Sequence, residues 1–262
     1  MRNMTKTLAI MAVSAIALTS CKKDVKQSEE QISQETLTKI SQHGFGTSTV
    51  QKTEDGYLVE GDILLTEDYL NSTPGGYYLR VGDVEQYRTT NLVSTGGSRN
   101  ITVSVSGSYT QTLLDAVDGA IARYNGQNLQ LTFSRVGSGG NINVKIVNGG
   151  PYIASSGFPS GGDPYPEVKF NKQYGGWQLK TLTSVMAHEI GHCIGMRHTD
   201  YMDRSFSCGG APSNEGASTV GAIYIPNTSV GPEAGSWMLA CIGNGIDRPF
   251  TSNDRTALTY LY

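Results

Sequence analysis

The chain has 262 residues, with 20 Lys and Arg set against 23 Asp and Glu for a formal charge of −3. That length suits one catalytic or binding domain with accessory segments, and that balance leaves no basic field able to hold nucleic acid. Charged residues make up only 16%, while 32 Gly and 14 Tyr point to a turn-rich fold with substantial strand content.

At the N-terminus, Arg2 and Lys6 precede an apolar run from Leu8 to Leu18, closed by Leu18-Thr19-Ser20-Cys21. A basic start, a short apolar core and small residues before a cut site read as a signal peptide, and the run is too short for a membrane span. Leu-Thr-Ser-Cys resembles the lipoprotein box of bacteria. On that resemblance residues 1–20 are a removed leader and Cys21 is lipidated, so the membrane is met only through this anchor. Lys22, rather than Asp, after Cys21 favours the outer membrane, with the catalytic part facing the periplasm or the surface, or released by processing.

Residues 21–50 are polar and read as a flexible tether, with a fragile helix near Glu35–Ile40 and a solvated His43. Residues 51–97 form a separate segment. Its Tyr57–Leu65 is apolar with strand character and carries Glu60-Gly61-Asp62, before a turn at Asn71–Gly76 and a polar stretch from Gln86 to Asn100. The main domain is placed at 98–262. Within it, Ile101–Val105, Leu129–Phe133 and Ile142–Val147 alternate as strands, with weaker candidates at Pro151–Ser156 and Glu167–Phe170. Thr110–Tyr124 and Leu179–Ile194 carry helical periodicity. Gly137–Asn141 lacks phosphate-loop and calcium-loop chemistry and is expected to be a hairpin turn. Strands with one crossover helix and a later helix imply an α+β domain with a mixed sheet.

The chemistry concentrates at His188-Glu189-Ile190-Gly191-His192, followed by Gly195 and His198. On a helix His188 and His192 lie one turn apart on one face, so both rings can reach one ion. Glu189 is rotated away and can address a water instead. Gly195 suits a sharp helix exit, because Gly tolerates positive φ, and the turn returns His198 toward the same ion. Three imidazoles with one open position is the arrangement of catalytic zinc, so Zn²⁺ is the expected cofactor. The chain has only four His, and three of them fall in this stretch. Glu215 or Glu233 as third ligand is disfavoured, since neither has helical context. Cys193, in the motif helix, reads as a small buried hydrophobe. Cys208 and Cys241 are the candidate disulfide pair of an exported chain, with connectivity open.

These residues resemble the HExxHxxGxxH signature of the metzincin metallopeptidases, and His188–His192 reads more narrowly like the dual-action HEIGH metallopeptidases. The resemblance implies a zincin-like catalytic domain with a twisted mixed sheet, an active-site helix and a closing helix near Phe250–Tyr262, with Asp254 at its start. It implies a zinc endopeptidase acting on proteins or peptides through Glu189, with Met238 in a Met-turn beneath the metal and Met202 as a competitor. Tyr152–Ser156 becomes the strand rim for substrate. The Tyr that astacins and serralysins carry two residues after the Met is Ala240 here, so no Tyr is assigned to catalysis. Glu60-Gly61-Asp62 is similar to the Gly-Asp of astacin propeptides, which makes Asp62 a candidate fourth ligand of a latent form; the other reading is an acidic hairpin turn. Two rivals stand beside the peptidase: an exported lipoprotein binding module without metal, and a structural or vestigial zinc site.

Overall fold

Local signals start the first helix. In the computed structural model, which describes residues 32–74, 86–212, 222–229 and 231–262, helix α1 covers Gln34–Gln42. The Ser33 hydroxyl accepts from Thr36 N at 3.1 Å, satisfying a donor that the first turn leaves open. The expected leader and Cys21 lie outside the described residues. Strands β1 (Gln51–Thr53), β2 (Gly56–Val59) and β3 (Ile63–Leu65) form an antiparallel sheet, and helix α2 (Glu67–Asn71) follows. Ile40, Phe45, Val59, Ile63 and Leu70 then join Phe158 in a small core of their own.

Two expectations are corrected here. The second half of the expected tether is packed rather than free, because the apolar face of α1 closes over residues 57–70. His43 is buried rather than solvated. Its Nε2 lies 3.3 Å from the Leu70 carbonyl and its ring centroid 4.9 Å from that of Tyr69, partners that local composition could not reveal.

Past β4 (Tyr87–Arg88) the large core begins. Strand β5 (Arg99–Ser106), helix α3 (Gln111–Asn125), strands β6 (Leu131–Arg135), β7 (Ile142–Val147), β8 (Ala154–Ser155) and β9 (Glu167–Asn171), and helix α4 (Leu179–Cys193) succeed one another. The sheet order is β6-β5-β7-β9-β8. All neighbours pair in parallel except β8, which runs antiparallel on the edge beside β9. The sheet is therefore mixed, as the alternating segments imply. Gly137–Asn141 is not a hairpin turn, because β6 and β7 both run parallel to β5 on its opposite sides. The loop crosses β5 instead. Gly140 makes the crossing feasible, since a Cβ there would stand 2.6 Å from Ser104 N and 2.9 Å from the Thr102 carbonyl.

Helices α3 and α4 pack against each other, with the Tyr124 hydroxyl donating to the Ala187 carbonyl at 2.7 Å. The short α5 (Ser205–Cys208) leads to β10 (Ile223–Tyr224), which pairs with β4. The closing helix α6 (Ser252–Leu261) starts in a capping box between Thr251 and Asp254. Residues 86–97 also depart from expectation. Gln86 is buried and donates to Asp254 at 2.6 Å, and Thr89 N donates to the Gly195 carbonyl at 2.8 Å. The packing thus ties this stretch to the body that carries α4, although polar composition had suggested a boundary at 98.

Candidate metal centre

Helix α4 is buried on all sides from Thr181 to Cys193, which explains its apolar content beyond a simple amphipathic stripe. His188 and His192 project one turn apart. His188 Nδ1 faces the Trp237 carbonyl at 2.8 Å, and His192 Nδ1 faces the Met196 carbonyl at 2.8 Å. A carbonyl can only accept, so each Nδ1 carries the proton and each Nε2 is left with a lone pair.

The helix exit brings in the third ring. Gly195 sits at φ +107°, and a Cβ there would lie 2.9 Å from the Asn91 carbonyl and 2.8 Å from Leu92 Cδ2. The chain turns back at this point and sets His198 Nε2 3.3 Å from His192 Nε2. Asp62 Oδ2 reaches the same place, 3.2 Å from His198 Nε2 and 3.4 Å from His188 Nε2. One ligand atom from each of Asp62, His188, His192 and His198 lies within 4.8 Å of the others.

The donor set fits a cation. Clustered neutral imidazoles oppose their lone pairs unless something positive sits among them. Protonation is a poor remedy, because burial first, and then the neighbouring His188 and His198, push the His192 pKa well below its usual value. His188 Nε2 and Asp62 Oδ1 are buried without a hydrogen-bond partner. Burial alone would raise the Asp62 pKa, yet the proximity of His198 first, and then of His188, outweighs it and holds the carboxyl well below the usual range.

Glu189 is buried beside the cluster, and the Ser156 hydroxyl donates to its Oε2 at 2.6 Å. Burial, followed by the negative charge of Asp62, pushes its pKa well above the ordinary carboxylate value, while Ser156 and His198 act in the other direction.

Beneath the rings runs Ser236-Trp237-Met238, fully buried. Asp254 fastens it, accepting from Ser236 Oγ at 2.8 Å and from Trp237 N at 3.3 Å. Met238 also accepts, through its carbonyl, from Thr199 N at 3.0 Å. Met202 is engaged elsewhere, receiving the Tyr87 hydroxyl at 3.7 Å. Glu233 accepts from Asn253 at 3.2 Å, and Glu215 lies outside the described residues. Cys208 and Cys241 are joined at 2.04 Å, while Cys193 is free and buried.

Gly191 carries a testable constraint, because a Cβ there would stand 2.6 Å from Met238 Sδ and 3.2 Å from Trp237 Nε1. Gly191→Ala is expected to destabilise the protein by about 1–3 kcal/mol through overpacking, although the same change in an exposed helix would stabilise by about 1 kcal/mol. Thermal unfolding decides the sign, and a higher midpoint would refute the tight contact.

Several neighbours of the site escaped the sequence reading. Arg197 is fully buried and paired with buried Glu60; it also donates to the Gly44 carbonyl at 3.1 Å and lies 4.3 Å over the Phe45 ring. Glu60 sits at φ +52°, an unusual conformation for a non-glycine residue, and its Oε2 is 3.7 Å from His198 Nδ1. The only available signal was adjacency, since Glu60 stands two residues from Asp62 and Arg197 one residue before His198. At the edge of the main sheet, Leu64 N donates to the Ser156 carbonyl at 2.7 Å and Ser156 N to the Asp62 carbonyl at 2.9 Å. Segment 62–64 thereby runs alongside the strand rim.

Comparison with known proteins adds the following. The family described as dual-action HEIGH metallo-peptidase matches residues 58–262. Two solved structures of myroilysin are similar. One is 20% identical over 41% of this chain and 55% of its own, with a TM-score of 0.29. The other is 15% identical over 65% of this chain and 84% of its own, with a TM-score of 0.39. High choriolytic enzyme 1, a hatching-enzyme zinc-protease from Oryzias latipes (Medaka fish), is 18% identical over 40% of this chain and 48% of its own, at 0.28. The chain spans about half the length of the first myroilysin structure and of the hatching enzyme, at 55% and 48%. No curated protein matches.

Proposed function

This chain belongs to the dual-action HEIGH metallo-peptidase family, and from that premise we propose that it is a zinc endopeptidase made as a latent, exported precursor. The observation that carries the reading is the convergence of three ring nitrogens, on His188, His192 and His198, with Glu189 beside them. Neutral imidazoles and a carboxylate suit zinc.

His188, His192 and His198 would hold the ion. When bound, zinc supplies a Lewis acid that lowers the pKa of a water to about 7. Glu189 takes the proton of the attacking water on a carboxylate oxygen and passes it to the leaving amine. The Ser156 hydroxyl, 2.6 Å from Glu189 Oε2, fixes that carboxylate for both transfers. An extended protein or peptide substrate pairs with the edge strand around β8, through backbone groups such as those of Ser156. Trp237 and Met196 position the rings through the carbonyls that accept from Nδ1.

Latency rests on Asp62, whose Oδ2 stands 3.2 Å from His198 Nε2 and would keep a water from an ion held there, while residues 62–64 cover the rim. The pro-segment accordingly ends ahead of Gln86, and residues 86–97 stay with the catalytic part. The direct test is metal analysis with a cleavage assay on unprocessed and processed protein. One zinc per chain is expected, with hydrolysis of a generic protein substrate that a chelator abolishes and added zinc restores. Metal without cleavage in processed protein would leave a structural site, and no metal would leave a binding module. Export by lipidation predicts metabolic lipid labelling that disappears in Cys21→Ala; persistent labelling would refute it.

A further inference from the structure

Beside His188 and Glu189 opens a cavity of about 210 Å³. Its walls include apolar Val185, Leu239 and Ile242, and Gly61 and Asp62 of the pro-segment fill one side. Two arginines, Arg204 and Arg248, also line it, against only two carboxylates, Asp62 and Glu189. One of these leaves with the pro-segment on the reading above, and the other is committed to proton transfer.

Arg248 is the unusual member. It is 8% exposed. Nη1 donates to the Cys241 carbonyl at 2.7 Å and to the Leu239 carbonyl at 3.5 Å, whereas Nε is buried without a partner. It forms no ion pair among the described residues; Asp200 acts on it through its charge alone. A buried guanidinium with neutral acceptors and an idle donor is costly unless a carboxylate completes it. Its position relative to the chemistry is fixed by α4. Arg248 N donates to Ser184 Oγ at 2.9 Å, and Ser184 lies four residues before His188 on α4, about 6 Å along the axis. That is the reach of a side chain from a peptide bond held at the ring cluster.

We propose that this cavity is a specificity pocket for an acidic side chain on a residue flanking the scissile bond, with Arg248 as the group that binds its carboxylate. The proposal rests on the peptidase reading for the identity of the ligand, an extended peptide. The apolar walls accommodate the methylene stem, and the guanidinium at the end discriminates charge. Amide analogues of the same shape lack the charge and are rejected, as happens where a buried polar group of a site is left poorly matched.

The experiment compares peptide pairs that differ only by Glu against Gln, or Asp against Asn, at each position flanking the cut. It uses the full chain activated by limited trypsin treatment. Hydrolysis is read in the unaltered protein, and equilibrium binding by fluorescence in Glu189→Gln, each with and without Arg248→Gln and Arg248→Lys. The acidic peptide is expected to be preferred by roughly tenfold to a hundredfold, in both kcat/KM and affinity. The ratio should fall toward one in Arg248→Gln and return in part with Arg248→Lys. A purely structural Arg248, holding the 239 and 241 carbonyls, would instead lower both members of a pair equally and leave their ratio unchanged, which overturns the proposal. Equal treatment of the pairs by the unaltered protein overturns it without any variant. Charge-selective binding without hydrolysis counts against the peptidase reading and supports the pocket; hydrolysis without charge preference does the reverse.

Discussion

Glu189→Gln should keep one zinc per chain and lose peptide hydrolysis by roughly 10²- to 10⁴-fold, the contribution of a positioned general base. The amide has the shape of the carboxylate and can still accept from the Ser156 hydroxyl that now donates to Glu189 Oε2 at 2.6 Å. The three rings are held by carbonyls of Trp237 and Met196 and by the turn at Gly195, none of which touches Glu189 chemically. Metal content is therefore decoupled from proton transfer. Stability supplies an independent check on metal-stripped protein. The Glu189 pKa is raised in the folded state, by burial and then by Asp62. The folded state thus binds more protons than the unfolded one once pH exceeds the unfolded value, and stability at neutral pH falls. Gln has no such dependence, so the variant's unfolding midpoint at pH 7 should be equal or higher. Undiminished turnover would overturn the assignment of Glu189, and lost zinc would show that the carboxylate holds metal rather than water.

Much of this site could be read from spacing because helical geometry makes it local. His188 and His192 share a face by period alone, and Gly195 marks the exit that returns His198. The strands and helices of the main core were legible for the same reason, each carrying its own alternation or turn. What escaped depends on distant partners. The Gly-rich crossing at residues 137–141 has the composition of a hairpin turn, and only the parallel pairing of β6 and β7 to β5 distinguishes the two. His43 and Arg197 are polar residues buried by contacts with Leu70 and Glu60, 27 and 137 positions away. Arg248 sits in a loop, and its meaning depends on the carbonyls of 239 and 241 and on Ser184.

Asp62→Ala in the unprocessed chain is expected to raise its activity at least tenfold. The carboxylate contacts two rings, 3.2 Å from His198 Nε2 and 3.4 Å from His188 Nε2. Since the ring nitrogens present lone pairs, the attraction would run through the cation they hold; a contact of a charged group contributes about 1.5–3 kcal/mol, equivalent to roughly 10- to 150-fold in the fraction of molecules whose site is open. Removing Asp62 also removes one of the two causes that raise the Glu189 pKa, so the base becomes easier to ionise as the corner clears. The gain should stop short of full activity, because residues 62–64 still bond to Ser156 and Glu60 still pairs with buried Arg197. Glu60→Gln added to Asp62→Ala should release more, since it replaces an ion pair by a weaker neutral hydrogen bond. Gln rather than Ala is the right choice at position 60, because leaving the buried Arg197 charge without a side-chain acceptor at position 60 would cost about 3–5 kcal/mol and confound opening with unfolding. The comparison is initial rates on one peptide, with intact chain length verified after the assay. An unprocessed Asp62→Ala chain as silent as its parent would mean that Asp62 is only an acidic turn between β2 and β3, and that any latency lies in the strand contacts alone.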